Sequence, residues 1–509
     1  MTANDVFIEG DNHTINMREG NGVGIFVDEF ITGVTIANLK IANTGFPGLV
    51  QPTVESPAQD LFGLLCLPAV KQFACATAVP TPGCPKGGDY DFCGQSPSGQ
   101  LTFHCPANPA FDMNFAVIQA RDILANAYQN PFVLVNPFNG VGIGLSKSSQ
   151  NIKIDNVIFD HLFIGIAAPE SVNNILVTNC VGFECGFDYS VPGQQQILTE
   201  GAHRGGFAIF STFGNDHSTN VTMKNCIAYT GVGAFGTFFA NVQNVSLEDC
   251  VMAIDTIETA SDWAKTASLI SAFFSQDIVL KNCYGFGSES PFNFEAVDGL
   301  TVIDSQAKYW TDTGINFAFS KFGDFRNCNV SDSNSPTTIA HFDTQQAIGF
   351  NAFLSTDVIV LDTVSRNLQQ IPTQPFGQQS IGFNMLADRI KLKNNIAEYC
   401  MNAGFFFGYV KDAMVEDCQA LANGRFQSEQ VCNDIPNGGA GFVFTAPACY
   451  LKPARTLFIR NVAVGNGANY RTNYVDRSGH HVFGKIIDLS FPPHHDHHIP
   501  PYANIEKTQ

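Results

Sequence analysis

The sequence predicts an all-β protein: a single-stranded, right-handed parallel β-helix, a solenoid of about 12 to 14 coils with a period of 22–24 residues. Three observations predict this fold. A short alternation of apolar and polar residues that ends in Asn-Cys or Asp-Cys recurs along the chain. The recurrences are separated by one period, by two periods, or by one period plus an insertion. Each period has room for about three short strands and none for a helix of ordinary length.

The recurrence is clearest in the middle of the chain. "VTMKNC" ends at Cys226, "VSLEDC" at Cys250 and "IVLKNC" at Cys283, and Ser305 follows 22 residues later. One such coil cannot bury its own apolar side, so the coils must stack. In a register-matched stack each strand hydrogen-bonds to its equivalents about 4.8 Å above and below.

We align the coils on the residue that ends each alternation, such as Cys226. Asn or Asp precedes this aligned position in every coil. Asn and Asp tolerate the left-handed backbone that a sharp corner requires, and stacked amides hydrogen-bond along the axis. We therefore predict a corner ladder that consists of Asn38, Asn156, Asn179, Asn225, Asp249, Asn282, Asp304, Asn327, Asp362, Asn394, Asp417 and Asn461. The aligned position itself is often Cys, which we expect to point inward as a small, reduced, buried hydrophobe.

Two further columns follow from the alternation. Phe residues at every second position, such as Phe292 and Phe294, are expected to stack inside the solenoid. Two residues before the aligned position, charges of both signs alternate, and we expect them to pair between coils on a solvated face: Lys224, Glu248, Lys281, Arg326, Lys393, Glu416 and Arg460.

The residues between the inward Phe residues are expected to point outward. They are Asn293, Asn316 and Asn351, with Asn384 nearby, and Phe273, Phe353 and Phe406 are expected to face outward as well. Neutral amides beside exposed rings suit contacts with sugars or with another subunit. Asn293, Asn316, Asn351 and Phe353 are therefore the candidate ligand-binding residues. The alternative is an amide ladder that only completes the sheet.

The repeat defines four segments. Residues 1–45 form the first coils, 46–138 a Cys-rich insertion, 139–475 the main β-helix and 476–509 a His- and Pro-rich tail or cap. The insertion carries Cys66, Cys75, Cys84, Cys93 and Cys105, which could form disulfides, stay free, or bind zinc together with His104. In the tail, His494, His495, His497 and His498 are candidate metal ligands, although the flanking prolines also suit an extended segment.

The composition limits the classes of partner that the protein is expected to bind. The net charge is −19 and only 14% of residues are charged, so nucleic acid is excluded as a favoured partner. The same charge disfavours a polyuronate unless calcium bridges it to the protein. Residues 1–20 have no recognisable signal peptide, and no apolar run is long enough for a membrane span. We expect assembly in the cytoplasm, followed by a location on a virion or cell surface.

The coils resemble a known family. "NVSLEDC" and "DIVLKNC" are similar to the typical coil of the pectin-lyase-like superfamily, and "GDNHTI" followed by "GVTIANLKIANTG" resembles its opening coils. The resemblance extends over residues 5–45 and 139–465. It implies the right-handed parallel β-helix fold. The superfamily contains lyases, hydrolases and epimerases of polysaccharides, phage tailspikes and non-catalytic surface or virion proteins, so the resemblance leaves the activity open.

Catalytic motifs of that superfamily are not found in the sequence. The Asn-x-Asp, Asp-Asp and Gly-His-Gly set of polygalacturonases and the Asp-Pro-His motif of C5-epimerases are absent. The stretch "EGAHRGGFAIFSTFGNDHS" is the best local group, with acid, base and cation in one predicted loop region. Its candidate catalytic residues are Glu200, His203, Arg204, Asp216 and His217, although an adjacent Asp and His also arise by chance.

The sequence therefore favours a non-enzymatic structural or surface protein, a virion or cell-envelope component. Such a protein would bind glycans or assemble with itself or with other structural subunits, for example as a homo-oligomer. The alternative is a polysaccharide lyase or glycoside hydrolase. The favoured function requires no cofactor. Calcium would be needed only to bridge a polyuronate, and zinc only at the candidate cysteine and histidine ligands.

Overall fold

Strands dominate the part of the chain that is described. The computed structural model describes residues 3–17, 23–42, 94–95, 101–102, 140–186, 206–211, 216–230, 235–254, 268–288, 290–310, 313–333, 347–368, 380–424, 440–444, 456–467, 474–476, 482–483, 486–488 and 502–507. Two compact units result. The first comprises Met1–Asp60, Ala125–Ala307 and Ala340–Phe342, and the second comprises Leu61–Leu124, Lys308–Ile339 and Asp343–Gln509.

Three parallel sheets, here named A, B and C in chain order within a coil, make up the first unit. Sheet A contains Val23–Val27, Val141–Leu145, Ile164–Ala168, Gly206–Ser211, Phe235–Ala240, Ser268–Phe273 and Ser290–Glu295. Sheet B contains Phe7–Glu9, the first halves of Thr32–Ala42 and Gln150–Asp160, Asn173–Thr178, Ser218–Lys224, Val242–Glu248, Gln276–Lys281 and Asp298–Ile303. Sheet C contains Thr14–Asn16, the second halves of the two long strands, Val181–Cys185, Ile227–Thr230, Val251–Ile254 and Tyr284–Ser288. Gln306–Trp310 spans the boundary between the units.

The second unit repeats the arrangement. Its sheet A contains Thr313–Ala318, the first halves of Ala347–Leu361 and Ser380–Lys393, Ala403–Lys411, Ala440–Phe444 and Tyr474–Asp476. Sheet B contains Lys321–Arg326, the second halves of the two long strands, Met414–Glu416, Leu457–Ile459 and Val482–Phe483. Sheet C contains Asn329–Ser333, Val364–Leu368, Ile396–Cys400, Gln419–Leu421, Val462–Val464, Ile486–Asp488 and Asn504–Lys507. Gly94–Gln95 and Leu101–Thr102, within the predicted insertion, form an antiparallel pair.

The strand register confirms the predicted fold class. Val245 lies opposite Val221 on one side and Ile278 on the other, and both pairings are parallel. The described strands repeat this parallel pairing from coil to coil, with register shifts at a few positions, and parallel strands favour right-handed crossovers. The chain is thus an all-β, right-handed parallel β-helix protein.

The corner ladder is confirmed at eleven of its twelve predicted positions, from Asn38 to Asp417, which have φ between 51° and 56°. The twelfth prediction is wrong by one residue. Arg460 turns that corner with φ 55°, and its guanidinium donates to both carboxylate oxygens of Asp417 at 2.8 and 2.9 Å. Asn461 is buried instead, and its Nδ2 donates to the carbonyl of Val415. An ion pair therefore takes the place of the stacked amide in this coil.

The core is built from the predicted columns. Phe383, Phe405 and Phe442 stack along the axis at centroid distances of 4.8 and 4.7 Å, as predicted for the inward Phe residues. The thiols of Cys180, Cys226, Cys250, Cys283, Cys328 and Cys418 are buried. Burial raises the pKa of Cys418 to about 12, so this thiol stays protonated and packs as an apolar group.

The outward charges pair between coils as predicted, except at Arg326, whose guanidinium donates to Asp324 on the same strand. On sheet B of the first unit, Glu248 accepts from Lys224 at 2.8 Å and from Lys281 at 3.3 Å. In the second unit, Lys393 lies 3.4 Å from Glu416, which also contacts Arg460. Sheet B therefore presents a solvated face on which charges of opposite sign neutralise each other.

Candidate functional site

The outward side of sheet A, here called face A, carries the predicted amides of the second unit. Asn316, Asn351 and Asn384 lie opposite one another in register on successive strands. Asn351 Nδ2 donates to Asn316 Oδ1 at 2.9 Å, and Asn384 Nδ2 donates to Asn351 Oδ1 at 2.9 Å. The structure therefore brings three neutral amides into one hydrogen-bonded row.

The row ends at Asn384. This residue is only 5% exposed, and its Oδ1 has no hydrogen-bond partner in the structure. Its neighbour in the next coil is Phe406, which cannot continue an amide row. Phe406 packs instead against a buried apolar cluster of Ile381, Ala403, Ala440 and Val443. Face A of this unit thus places a buried hydrogen-bond acceptor beside an apolar patch.

Two of the three rings expected to be exposed on face A are buried, and the third, Phe406, is half-buried. Phe353 is 5% exposed and contacts Phe319 edge-on at 5.4 Å, while Phe273 packs against Phe238 in the first unit at a centroid distance of 5.4 Å. The alternation of the sequence specifies which way a side chain points, but burial also depends on what packs against it. Asn293, in the first unit, lies opposite Ser271 and is half-buried.

The candidate catalytic group is only partly described, because Glu200, His203 and Arg204 lie outside the described residues. Asp216 and His217 are exposed at the corner between sheets A and B. Asp216 Oδ2 lies 3.7 Å from Lys147 Nζ, and His217 Nδ1 lies 2.5 Å from Asn241 Oδ1. Asn241 Nδ2 in turn donates to the backbone carbonyl of Asp216 at 3.0 Å. The contacts of His217 and Asn241 link neighbouring coils, and the contact of Lys147 with Asp216 spans the coil between theirs, so together they stabilise the corner.

The predicted metal ligands His494, His495, His497 and His498 also lie outside the described residues. Within the described ranges, no group of three or more His, Cys, Asp or Glu side chains could hold a metal ion. The same part of the chain contains no helix long and apolar enough to cross a membrane.

Sequence reasoning missed an aromatic row on the outward side of sheet C, here called face C. In the first unit Phe183 is 42% and Tyr229 is 37% exposed, and the two rings are parallel within 8°. The signal was present, because an aromatic residue follows three positions after Cys180, Cys226 and Cys283. This signal is separate from the corner repeat, because these aromatic residues lie on the strand that follows the corner.

No protein-family model and no curated protein matches this chain. Among solved structures, the A-module of the mannuronan C-5 epimerase AlgE4 from Azotobacter vinelandii matches at 9% identity and a TM-score of 0.34, over 64% of this chain and 79% of that chain. The Streptococcus pneumoniae surface protein and adhesin PfbA matches at 10% identity and a TM-score of 0.37, over 72% of this chain and 96% of that chain. A tailspike protein mutant of E. coli bacteriophage HK620, in complex with pentasaccharide, matches at 10% identity and a TM-score of 0.30, over 72% of this chain and 60% of that chain. At these identities and TM-scores the likeness concerns the fold alone.

Proposed function

We propose that this protein is a non-enzymatic surface or virion β-helix protein that binds glycans through face A of its second unit. The observation that carries the proposal is the amide row that ends at the unpartnered Oδ1 of Asn384 beside the patch around Phe406. A buried acceptor without a partner costs about 1–3 kcal/mol, and a side-chain movement that lets a sugar hydroxyl donate to Asn384 Oδ1 would recover that cost. Sugars present hydroxyl donors and apolar C–H faces together, which matches this combination.

A polysaccharide lyase or glycoside hydrolase is the alternative, because the fold supports both binding and catalysis. Catalysis requires acid and base groups that converge on one reacting bond. Asp216 and His217 instead contact Lys147 and Asn241 along a corner. This engagement favours the binding function.

The first experiment is a panel of polysaccharides assayed for binding and for cleavage, with calcium and with chelator. The expected result is binding without new reducing ends or unsaturated products, and turnover of any substrate would contradict the proposal. Asn384→Ala is expected to weaken binding. Its matched control is Asn225→Ala, which removes a laddered amide from the corner of the first unit. Equal loss in both variants would rule out face A as the binding site.

Assembly with copies of itself is a second part of the proposal. Sedimentation velocity of the full chain tests it directly. We expect the sedimentation coefficient to increase with protein concentration. A coefficient that stays at the monomer value at every concentration would contradict self-assembly.

A further inference from the structure

The first strands of sheets B and C, Phe7–Glu9 and Thr14–Asn16, form an open edge of the first coil, here called the N-terminal edge. In the described part of the chain, each of these strands pairs only with Thr32–Ala42, on one side. Phe7 is 63% exposed, and Thr14–Asn16 is exposed at every position. The N-terminal edge is therefore accessible to solvent and to a partner.

The backbone of the N-terminal edge presents hydrogen-bonding groups that point away from the solenoid. In a strand, the N–H and C=O groups of successive residues point to opposite sides. The carbonyl of Val6 accepts from the neighbouring strand at 2.9 Å, and the N–H of Gly10 donates to that strand at 2.9 Å. The groups of Phe7 and Glu9 consequently point to the open side, where no described strand lies. Such a row of donors and acceptors is a template for one more strand.

The apolar core is also exposed at this end. Ile15 points inward in register with Ile41, yet Ile15 is 36% exposed whereas Ile41 is fully buried. On the first strand of sheet B, Ile8 lies opposite the buried Ile36 and is itself half-buried. A strand added beside Phe7–Glu9 would place every second side chain over Ile8. Apolar residues are favoured at those positions, because they remove the exposed end of the core from water.

Acidic side chains surround the N-terminal edge. Asp5, Glu9 and Asp11 are exposed, and none of them forms an ion pair with a described residue. The Glu9 carboxylate accepts from Asn38 Nδ2 at 3.0 Å and from the backbone N–H of Asp11 at 3.2 Å, so neutral donors hold it in place. Lys40, on the neighbouring strand, contacts an aspartate of the next coil instead. The negative charge at this edge therefore attracts a basic segment.

The same charge disfavours a second copy of the N-terminal edge as the occupant. Two copies that met edge to edge would bring the acidic residues of one against those of the other, and like charges on paired strands are destabilising. In an added strand, the side chains that face outward lie beside Phe7 and Glu9. Lysine or arginine at these positions would pair with the Glu9 carboxylate.

We propose that the N-terminal edge binds an extended segment of a partner protein, which adds as a strand beside Phe7–Glu9. Apolar residues alternate with lysine or arginine in this segment. The apolar side chains cover Ile8, and the basic side chains face outward beside Glu9. The site uses no residue of face A, so this inference does not depend on glycan binding.

The test uses the full chain and fluorescence anisotropy with the labelled peptide Val-Lys-Val-Lys-Val-Lys-Val. One control peptide has glutamate in place of lysine, and another has the same residues without the alternation. Phe7→Pro removes the backbone donor at the open edge, and it breaks no bond to Thr32–Ala42 because the Phe7 N–H points away from that strand. Phe7→Ala keeps this donor and is the matched control. We expect Phe7→Pro to bind the Val-Lys peptide roughly tenfold more weakly than Phe7→Ala does.

Glu9→Gln is a second variant, which leaves the backbone of the strand unchanged. We expect it to weaken binding of the Val-Lys peptide roughly threefold at low ionic strength and less at high ionic strength. Hydrogen exchange of the wild-type protein should show that the peptide protects residues 6–10. Thermal unfolding of each variant separates loss of fold from loss of binding.

Equal binding by folded Phe7→Pro and Phe7→Ala would overturn the proposal. So would a wild-type protein that does not bind the Val-Lys peptide, or that binds the glutamate or non-alternating peptide as tightly. If Phe7→Pro abolishes self-association in sedimentation velocity and Phe7→Ala does not, the edge joins two copies and the proposal fails. Polysaccharide binding should be the same in both Phe7 variants, so failure at this edge leaves the proposed function of face A unaffected.

Discussion

The corner ladder makes a quantitative prediction at Asn156. This residue has φ 53°, and its Nδ2 donates to Asn38 Oδ1 at 2.7 Å. Asn156→Ala loses the hydrogen bond and places an ordinary L-residue in the left-handed region. Asn156→Gly loses the same bond but tolerates the backbone. Comparison of the two variants therefore separates the backbone contribution from the hydrogen bond.

The expected magnitudes follow from these contributions. The left-handed conformation costs an L-residue such as Ala about 1–2 kcal/mol. A solvent-accessible amide hydrogen bond contributes about 0.5–1 kcal/mol net. Gly avoids the conformational cost but loses about 0.4–1 kcal/mol through the greater entropy of its unfolded chain. We expect a loss of about 2 kcal/mol in the free energy of unfolding for Asn156→Ala and about 1 kcal/mol for Asn156→Gly.

Urea unfolding monitored by far-UV circular dichroism measures the difference, with the midpoint shift converted through the slope. The stability of a stack of coils is approximately a sum of interactions within coils and between neighbouring coils. A single substitution should therefore leave the dependence of the unfolding free energy on urea concentration unchanged. Equal losses for Ala and Gly would refute the claim that the left-handed corner selects Asn at this position. No loss in either variant would refute the ladder as a stabilising element.

Three further predictions concern ion pairs and thiols. Arg460→Lys is expected to lower the melting temperature because a lysine cannot reproduce the two-pronged contact with Asp417, whereas Arg460→Asn, which restores the usual corner residue, should lower it less; the reverse order would contradict this. The hydrogen bond from Arg389 lowers the pKa of Asp357, so its stabilising contribution is complete above the ordinary pKa near 3.8 and is lost as the pH falls through the lowered value. Melting temperatures measured against pH should therefore fall less steeply in acid for Asp357→Asn, and an unchanged slope would count against the pair. Burial raises the pKa of Cys185 and Cys418 to about 12, so alkylation at pH 8, mapped by mass spectrometry, should leave both thiols unmodified in the folded chain. Alkylation of either thiol at a temperature where the protein is folded would show that the core opens.

The corner could be predicted because chemistry restricts it so strongly. Few residue types accept positive φ, so a left-handed position leaves a visible mark in every coil. The same rule would have revealed two more columns. Left-handed residues recur five positions before the corner, as at Asn151 and Asn174, and five positions after it, as at Asp332 and Asn367. Asn174 Nδ2 donates to Asn151 Oδ1 at 2.7 Å, so a second amide ladder exists at the start of sheet B.

The error at Arg460 has the opposite cause. Asn or Asp occupies the other eleven predicted corners, and Asn461 fits that rule one residue after the actual corner at Arg460. Asn461 Oδ1 instead accepts from the backbone N–H of Cys418 at 2.9 Å inside the core. Two positions with different backbone conformations thus favour the same residue type, and only the strand register distinguishes them.

Close approach between coils was also not visible in the alternation. A Cβ on Gly349 would lie 2.7 Å from the carbonyl oxygen of Gly382, and one on Gly382 would lie 2.5 Å from that of Gly404. Glycine is therefore required where sheet A begins, because the next coil occupies the space of a side chain. In the sequence, scattered glycines indicate turns. In the structure, their register shows that they align from coil to coil where neighbouring strands approach closely.

The candidate sites show what periodicity can and cannot specify. Alternation correctly oriented Asn316, Asn351 and Asn384 into one column, because direction is a local property of a strand. Their burial, and the exposure of Phe183 and Tyr229, depend on which chain segments cover a face, and that is set by contacts distant in sequence. The three faces consequently differ in chemistry although the coil repeats. Sheet B of the first unit balances Lys224, Glu248 and Lys281 against each other, so salt screens what little charge it presents to a ligand. Face C of the first unit instead exposes the stacked rings of Phe183 and Tyr229, whose packing salt does not screen.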